Sequence, residues 1–470
     1  MNEKQLSAQD FGPAFKAFLE QAASGVERQE APFVETIRDH LGVDPRELEV
    51  VTQSLEPTER PNLQVALDAY LEPGGRSARI IGIVPPNGSG GVTITELISR
   101  RRGGFYGDSS IQIGPVEHVR IDLGEGTTLT CIHTALLLVE SERGPVVVLI
   151  ANGRLQGIVR ERIEVQAMAP DREAAEAVLT DLRQEMRRRN VYRGRAISLE
   201  KTNYSGTKVN FHSIPTIERD QIILPEGVLE RVESQAIVFS EQIERLRAAK
   251  RHLRRGLLLH GPPGTGKTMT AMYVAGRLPG RTVVLLTGSG LAMIEESVAF
   301  ARMLEPSLVI LEDVDLVAQE RTRQLPGQNA VLFELLNQMD GITEDADVIF
   351  LLTTNRPDLL ESALASRPGR IDQAVEIPLP DAACRRRLFD LYAEGLALDG
   401  ELDRLVERTR GVSAAFIREL LRKAALLAVT ESSNGFRVSD RHLDEALNDL
   451  VIEGGELTKV LLGGPPAPVA

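Results

Sequence analysis

The eight residues Gly261 to Thr268, Gly-Pro-Pro-Gly-Thr-Gly-Lys-Thr, fit the phosphate-binding pattern G-x-x-x-x-G-K-[ST] without a mismatch. Glycines at these positions let backbone N–H groups wrap the β- and γ-phosphates, and a helix beginning at the loop favours the negative charge. Lys267 can reach the β/γ oxygens, and the Thr268 hydroxyl can hold Mg²⁺. The flanks agree: Gly256–His260 reads as a short buried strand, and the residues from Met269 to Arg277 as the start of a helix. The candidate binding residues are therefore Gly261, Pro262, Pro263, Gly264, Thr265, Gly266, Lys267, Thr268 and Met269. They imply a bound nucleoside triphosphate with Mg²⁺.

Three further clusters follow. Leu308-Val-Ile-Leu is an apolar strand ending in Glu312, Asp313 and, two residues further, Asp315. Beside a phosphate loop such a strand presents one carboxylate to the metal and another to an attacking water. Val348–Thr354 is a second apolar strand, ending at Asn355, whose amide could orient that water. Ser366-Arg367-Pro-Gly-Arg370-Ile-Asp372 sets two arginines on one tight turn, which packing does not explain and phosphate sensing does.

The elements that would position these groups alternate. Strand-like runs at Leu257–His260, Val283–Leu286, Leu308–Leu311, Val348–Leu352 and Ala374–Ile377 have helical patterns between most of them, which predicts a parallel sheet with helices on both faces. After Pro380-Asp381 the pattern is helical to about Val451, and Gly463–Ala470 has the composition of a disordered tail. Upstream, a helix is expected over about Glu226–His252. From His118 to Ala167 the pattern is β, Asn152-Gly153 reads as a two-residue hairpin turn, and Asp171 caps a charged helix to about Arg188. Residues 1–75 read as helical, and Gly88–Gly91, lacking a following Lys-Thr, as a flexible loop. The expected domains are a helical segment at 1–75, a β-rich α+β domain at 76–212, an α/β domain at 213–380, a helical domain at 381–455 and a tail at 456–470.

Composition narrows the function. With 470 residues the chain is long for a single core. Its net charge of −13 and lack of tryptophan disfavour a nucleic-acid binder. Two distant cysteines, Cys131 and Cys384, give no disulfide framework or zinc spacing and suit a reducing cytoplasm. The polar start lacks the layout of a secretion signal, and no apolar run is long enough to span a membrane. His118, His133 and His212 are isolated and read as ordinary structural or surface residues.

Together the motifs resemble the classical clade of the AAA family of ATPases, over roughly residues 212–455. The resemblance implies an α/β P-loop NTPase fold with a C-terminal helical lid. It puts Gly261–Thr268 at Walker A, Glu312 and Asp313 at Walker B, Asn355 at sensor 1, and Arg367 and Arg370 at the arginine fingers. Asn337–Gly341 and Gly411–Ala415 are similar to the family's helix before the sensor strand and to the turn of its lid. It further implies a ring, usually a hexamer, because each arginine finger completes the neighbouring site. Two departures stand out. Walker B usually ends Asp-Glu, whereas here the order is Glu312-Asp313, an order similar to that of the AAA proteins that assemble mitochondrial respiratory complex III. And the segment Thr287–Glu296, where the family places an aromatic pore loop, has no aromatic; Met293 and Ile294 either grip a polypeptide weakly or pack a helix start.

The expectation is a cytoplasmic ATP-hydrolysing ring that remodels or disassembles a protein partner recognised by the first 200 residues or so. The chain has no His-Glu-x-x-His protease motif, no apolar-Tyr-any C-terminal ending and no sustained heptad before the β-rich domain. The alternative is a nucleotide-switched assembly or scaffold factor that turns over slowly and threads nothing, favoured by the short pore loop and swapped acids. A nucleic-acid motor is disfavoured by charge.

Overall fold

Val146-Val-Val-Leu-Ile-Ala151 is apolar at every position, and a computed structural model of the chain buries it on both sides. The structure describes residues 12–13, 15–16, 32–72, 77–84, 92–99, 111–153, 162–202, 206–287, 290, 293–315, 337–339, 341, 343, 345–358, 371–399, 402–431 and 437–450. They fall into two compact units: residues 1–121 with 128–189, and residues 122–127 with 190–470.

In the first unit, α1 (Pro32–Leu41), β1 (Val50–Leu55), α2 (Arg60–Tyr70), β2 (Ala78–Val84), α3 (Ile94–Ile98), β3 (Gln112–Gly114), β4 (Glu117–Asp122), β5 (Thr128–Ser141), β6 (Gly144–Gly153), β7 (Arg162–Met168) and α4 (Arg172–Arg188) follow in order. The strands form a sheet ordered β1-β7-β6-β5-β2-β3, with β4 also on β5, and its main pairings are antiparallel. Successive side chains of a strand point to opposite faces. Thus Val146, Val148 and Ile150 join α2 and α4 in one core, while Val147, Leu149 and Ala151 join α1 and α3 in another. Helices on both faces explain the unbroken apolar run. Asp171 caps α4 as expected, its carboxylate accepting from Glu173 N at 3.1 Å.

Two expectations change here. Residues 1–75 are not a separate helical segment: β1 lies among them and pairs with β7, with Val50 opposite Met168. Asn152-Gly153 is not a turn, because the two residues continue β6 opposite Ile163 and Arg162. Asn152 instead accepts from the buried Arg60 guanidinium and meets His133 Nε2 at 2.9 Å. The tight hairpin is one step earlier, between β5 and β6, where Ser141 faces Gly144. The stretch 154–161 of the expected β pattern lies outside the described residues, as do the Gly88–Gly91 loop and the tail.

The β-rich domain also ends earlier than position 212. β8 (Ala196–Lys201) and β9 (Thr207–His212) belong to the second unit and its sheet. β8 pairs in parallel with β11 (Thr282–Leu286), Ile197 opposite Val284, and β9 folds back on β8. Pairing between strands so far apart in sequence leaves no local pattern to read. The rest of the second unit comprises α5 (Val228–Glu233), β10 (Arg255–His260), α6 (Lys267–Gly276), β11, α7 (Ile294–Met303), β12 (Ser307–Leu311), β13 (Val348–Thr354) and β14 (Gln373–Glu376). The helix expected over 226–252 is present as a helical run from Val228 to Ala248: α5 passes into a π turn at Ser234–Val238, and the run continues through Phe239–Glu241 and Ile243–Ala248. The sheet order is β14-β10-β13-β12-β11-β8-β9, parallel throughout except for β9. Leu257, Leu259, Leu308, Ile310, Ile349 and Leu351 face the core under α5 and α6; Leu258, Val309, Leu311, Phe350 and Leu352 face the one under α7.

Beyond β14 come α8 (Ala382–Tyr392), α9 (Leu402–Arg408), α10 (Ala414–Glu431) and α11 (Asp440–Asn448), around a core of their own centred on Phe389, Phe416 and Leu420. Asp381 caps α8 by accepting from Cys384 N at 2.8 Å. A two-stranded ladder, Leu398–Asp399 with Val438–Ser439, joins the ends of this bundle and was not foreseen. Among the described residues no helix is long and apolar enough to cross a membrane.

Candidate nucleotide-binding and hydrolysis site

β10 runs into the loop Gly261–Gly266, and the loop into α6, whose first residue is Lys267. Two of its glycines are required by their surroundings. Gly261 has φ 144°, and a Cβ there would lie 2.2 Å from Ile377 O. Gly264 has φ 72°, and a Cβ would lie 2.8 Å from both Ser413 Oγ and Ala415 Cβ. Ala415 N donates to Gly264 O at 3.1 Å, which ties the start of α10 to the phosphate loop. Thr265 Oγ1 donates to Pro262 O at 2.9 Å and fixes the turn. Met269 packs with the core under α6.

Lys267 is only 6% exposed, and its Nζ donates to Gly261 O at 2.9 Å and Pro262 O at 2.8 Å. Burial pulls its pKa down to about 8, against the opposing pull of the Asp313 and Asp315 carboxylates. A cation this poorly hydrated, ringed by backbone oxygens, is poised to exchange those partners for phosphate oxygens.

The sheet order sets β13 between β10 and β12, so the C-terminal ends of these three parallel strands are neighbours. Glu312 follows β12 directly, and its carboxylate lies beside the Thr268 side chain, which draws its pKa down. Burial, with Asp313 adding to it, holds the Glu312 carboxyl above the usual range, and Glu312 Oε1 is buried without a hydrogen-bond partner. A carboxylate beside the loop threonine with one orphaned oxygen fits a divalent cation held by Thr268 and Glu312.

Asp313 has φ 48°, a left-handed backbone that Asp and Asn tolerate better than longer side chains. Its N–H donates to Thr353 Oγ1 at 3.0 Å, and its Oδ1 accepts from Asn355 Nδ2 at 3.1 Å. This is a physical reason for the swapped order: the shorter acid sits where the backbone turns left-handed.

Asp315, Thr353, Thr354, Ser413 and Ala415 were not singled out as site residues. Asp315, 3% exposed, accepts from Thr354 Oγ1 at 2.8 Å and from Asn355 N at 3.1 Å, so one oxygen fixes the backbone from which Asn355 reaches Asp313. Its place in the acidic run was visible, but its inward direction depends on the turn after β12. Arg367 and Arg370 lie outside the described residues. Met293 and Ile294 are each 3% exposed, which makes them packing at the start of α7 rather than a free grip.

Residues 257–379 match the family described as "ATPase family associated with various cellular activities (AAA)". The chain is 30% identical over 446 residues to human "ATPase family gene 2 protein homolog A", covering 91% of this chain and 45% of that protein. It is 35% identical over 249 residues to "ATP-dependent zinc metalloprotease FtsH 2" of Symbiobacterium thermophilum, covering 50% of this chain and 41% of the relative. The chain thus spans less than half the length of these relatives. Among solved structures, the FIGL-1 AAA domain in complex with ADP aligns with a TM-score of 0.42 at 23% identity, covering 50% of this chain and 85% of that one.

Proposed function

The chain carries a domain of the AAA family of ATPases, and from that premise we propose that it hydrolyses ATP with Mg²⁺ in a ring, a homo-hexamer, that remodels a protein partner in the cytoplasm. The observation that carries the proposal is the meeting of Lys267, Thr268, Glu312, Asp313 and Asn355 at the ends of adjacent parallel strands. Lys267 and the loop N–H groups bind the triphosphate; Thr268 and Glu312 would hold the metal. When bound, Mg²⁺ supplies charge neutralisation across the β- and γ-phosphates. Asp313 accepts a proton from the attacking water, and Asn355 keeps that carboxylate aimed. Arg367 and Arg370 act on the γ-phosphate of the neighbouring subunit, and residues 381–455 act as the lid. The first unit recognises the partner.

The burial of Met293 and Ile294 favours a second reading, in which nucleotide state controls assembly and partner binding without threading. ATPase rate with and without an unfolded protein separates the two. Stimulation by the unfolded chain supports remodelling; an unchanged, slow rate supports the switch.

A further inference from the structure

The sheet of the first unit ends in two unlike edges. β3 is a three-residue strand. β1 has six residues, Val-Val-Thr-Gln-Ser-Leu, with neither a charge nor a proline, and among the described residues nothing pairs with its outer side. Edge strands of this length are ordinarily blunted by charge, proline or a bulge, because their free N–H and C=O groups template another strand. Here the open edge borders a groove of about 630 Å³ between β1 and α4. Val51 and Leu179 give it apolar lining, Gln53 and Thr180 polar lining, and Arg183 and Arg187 stand one helical turn apart along it.

Charge decides what fits. The other arginines at the ends of α4 are engaged: Arg172 with Glu49 and Glu176, Arg188 and Arg189 with Glu185. Glu176 also lines the groove, but its charge is answered by Arg172. Arg183 and Arg187 have no ion-pair partner among the described residues, so the groove's unanswered charge is positive. One helical turn advances about 5.4 Å and two strand residues about 6.8 Å. Acids at alternate positions of an extended segment therefore come within reach of both arginines.

We infer that the β1–α4 groove takes an extended acidic segment of a partner protein, which adds to β1 as a further strand and lays its carboxylates against Arg183 and Arg187. Main-chain pairing supplies affinity and the alternate side chains supply specificity. The inference rests on the reading that the first unit recognises a partner, and does not depend on turnover.

The test is fluorescence anisotropy of a labelled peptide alternating glutamate with valine and threonine, titrated with the full chain beside a peptide carrying lysine in place of glutamate. Amide hydrogen exchange across residues 50–55 is followed in parallel. The glutamate peptide is expected to bind, to protect the β1 amides, and to bind R183Q/R187Q about tenfold or more weakly, while that variant keeps its basal ATPase rate. Equal binding of the lysine peptide, binding without added protection in β1, or outward β1 amides (those not bonded to β7) already protected before peptide is added would each overturn the proposal. Two further readings separate the failures: Lys267→Met, expected to lose hydrolysis, should bind the peptide as the parent does, whereas a parent chain that binds the peptide but hydrolyses no ATP contradicts the ATPase reading alone.

Discussion

Asn355 Nδ2 donates to Asp313 Oδ1 at 3.1 Å, while the Asn355 backbone N–H donates to Asp315 Oδ1 at 3.1 Å. One residue thus ties two of the three acids after β12, Asp313 and Asp315, to the end of β13. In the proposed mechanism Asp313 faces the water and Glu312 the metal. Asp313→Asn is expected to keep ATP affinity and to lose turnover by about 10²–10⁴-fold. Glu312→Gln is expected to weaken the dependence of binding on Mg²⁺. Turnover at the parent rate in Asp313→Asn contradicts the assignment.

Asp315 is a positioning residue. Removing its carboxylate in Asp315→Ala strands the Thr354 hydroxyl and the Asn355 N–H, at a cost of about 1–3 kcal/mol in stability for each group left unpaired. Because the loss acts through Asn355, kcat is expected to fall while KM for ATP stays near the parent value. Asp315→Asn, which keeps one acceptor oxygen, should recover much of both. Thermal unfolding and steady-state kinetics on the two variants check this.

Gly264 is the contact between the phosphate loop and the start of α10. Gly264→Ala adds a methyl 2.8 Å from Ser413 Oγ and Ala415 Cβ at φ 72°. The left-handed strain alone is about 1–2 kcal/mol. The expected result is weaker nucleotide binding with little change in far-UV circular dichroism, measured by titration with a fluorescent ATP analogue.

Lys267 links the site to pH. Its folded pKa of about 8 lies below the unfolded value of 10.5, chiefly through burial. The unfolded chain therefore binds more protons between these values, and stability rises with pH there. The buried charge costs stability below pH 8, on the order of 3 kcal/mol from the shift, and that cost vanishes by about pH 10.5. Nucleotide-free Lys267→Met should accordingly be more stable than the parent at pH 7, with the gap closing between pH 8 and 10.5. Chemical denaturation across that range measures it. ATP affinity of the parent should decline above pH 8, as the free lysine loses its proton.

The phosphate loop, the acid strand and Asn355 were legible because each pairs a local sequence signature with a required backbone: a glycine loop before a helix, or an apolar strand ending in a polar group. The strands of the second sheet were legible for the same reason, since helices on both faces leave Leu308–Leu311 and Val348–Leu352 without a polar position. Pairing was not. Nothing near Ile197 says that it will face Val284, and nothing near Val50 that it will face Met168. Asn152-Gly153 misled because turn propensity is local, whereas its strand is set by β7 and by the Arg60 guanidinium. Asp315 was visible as an acid but not as an anchor, since its direction follows from the turn after β12.

The most direct test of the central claim is ATPase rate per subunit against protein concentration, for the parent chain and for Arg370→Ala, with mass measured in parallel. A ring with shared sites predicts a rate per subunit that rises as the assembly forms and falls by about 10³-fold or more in the variant, which still assembles. A rate that is flat with concentration and equal in the two chains would mean a self-contained site in each subunit, and would contradict the account.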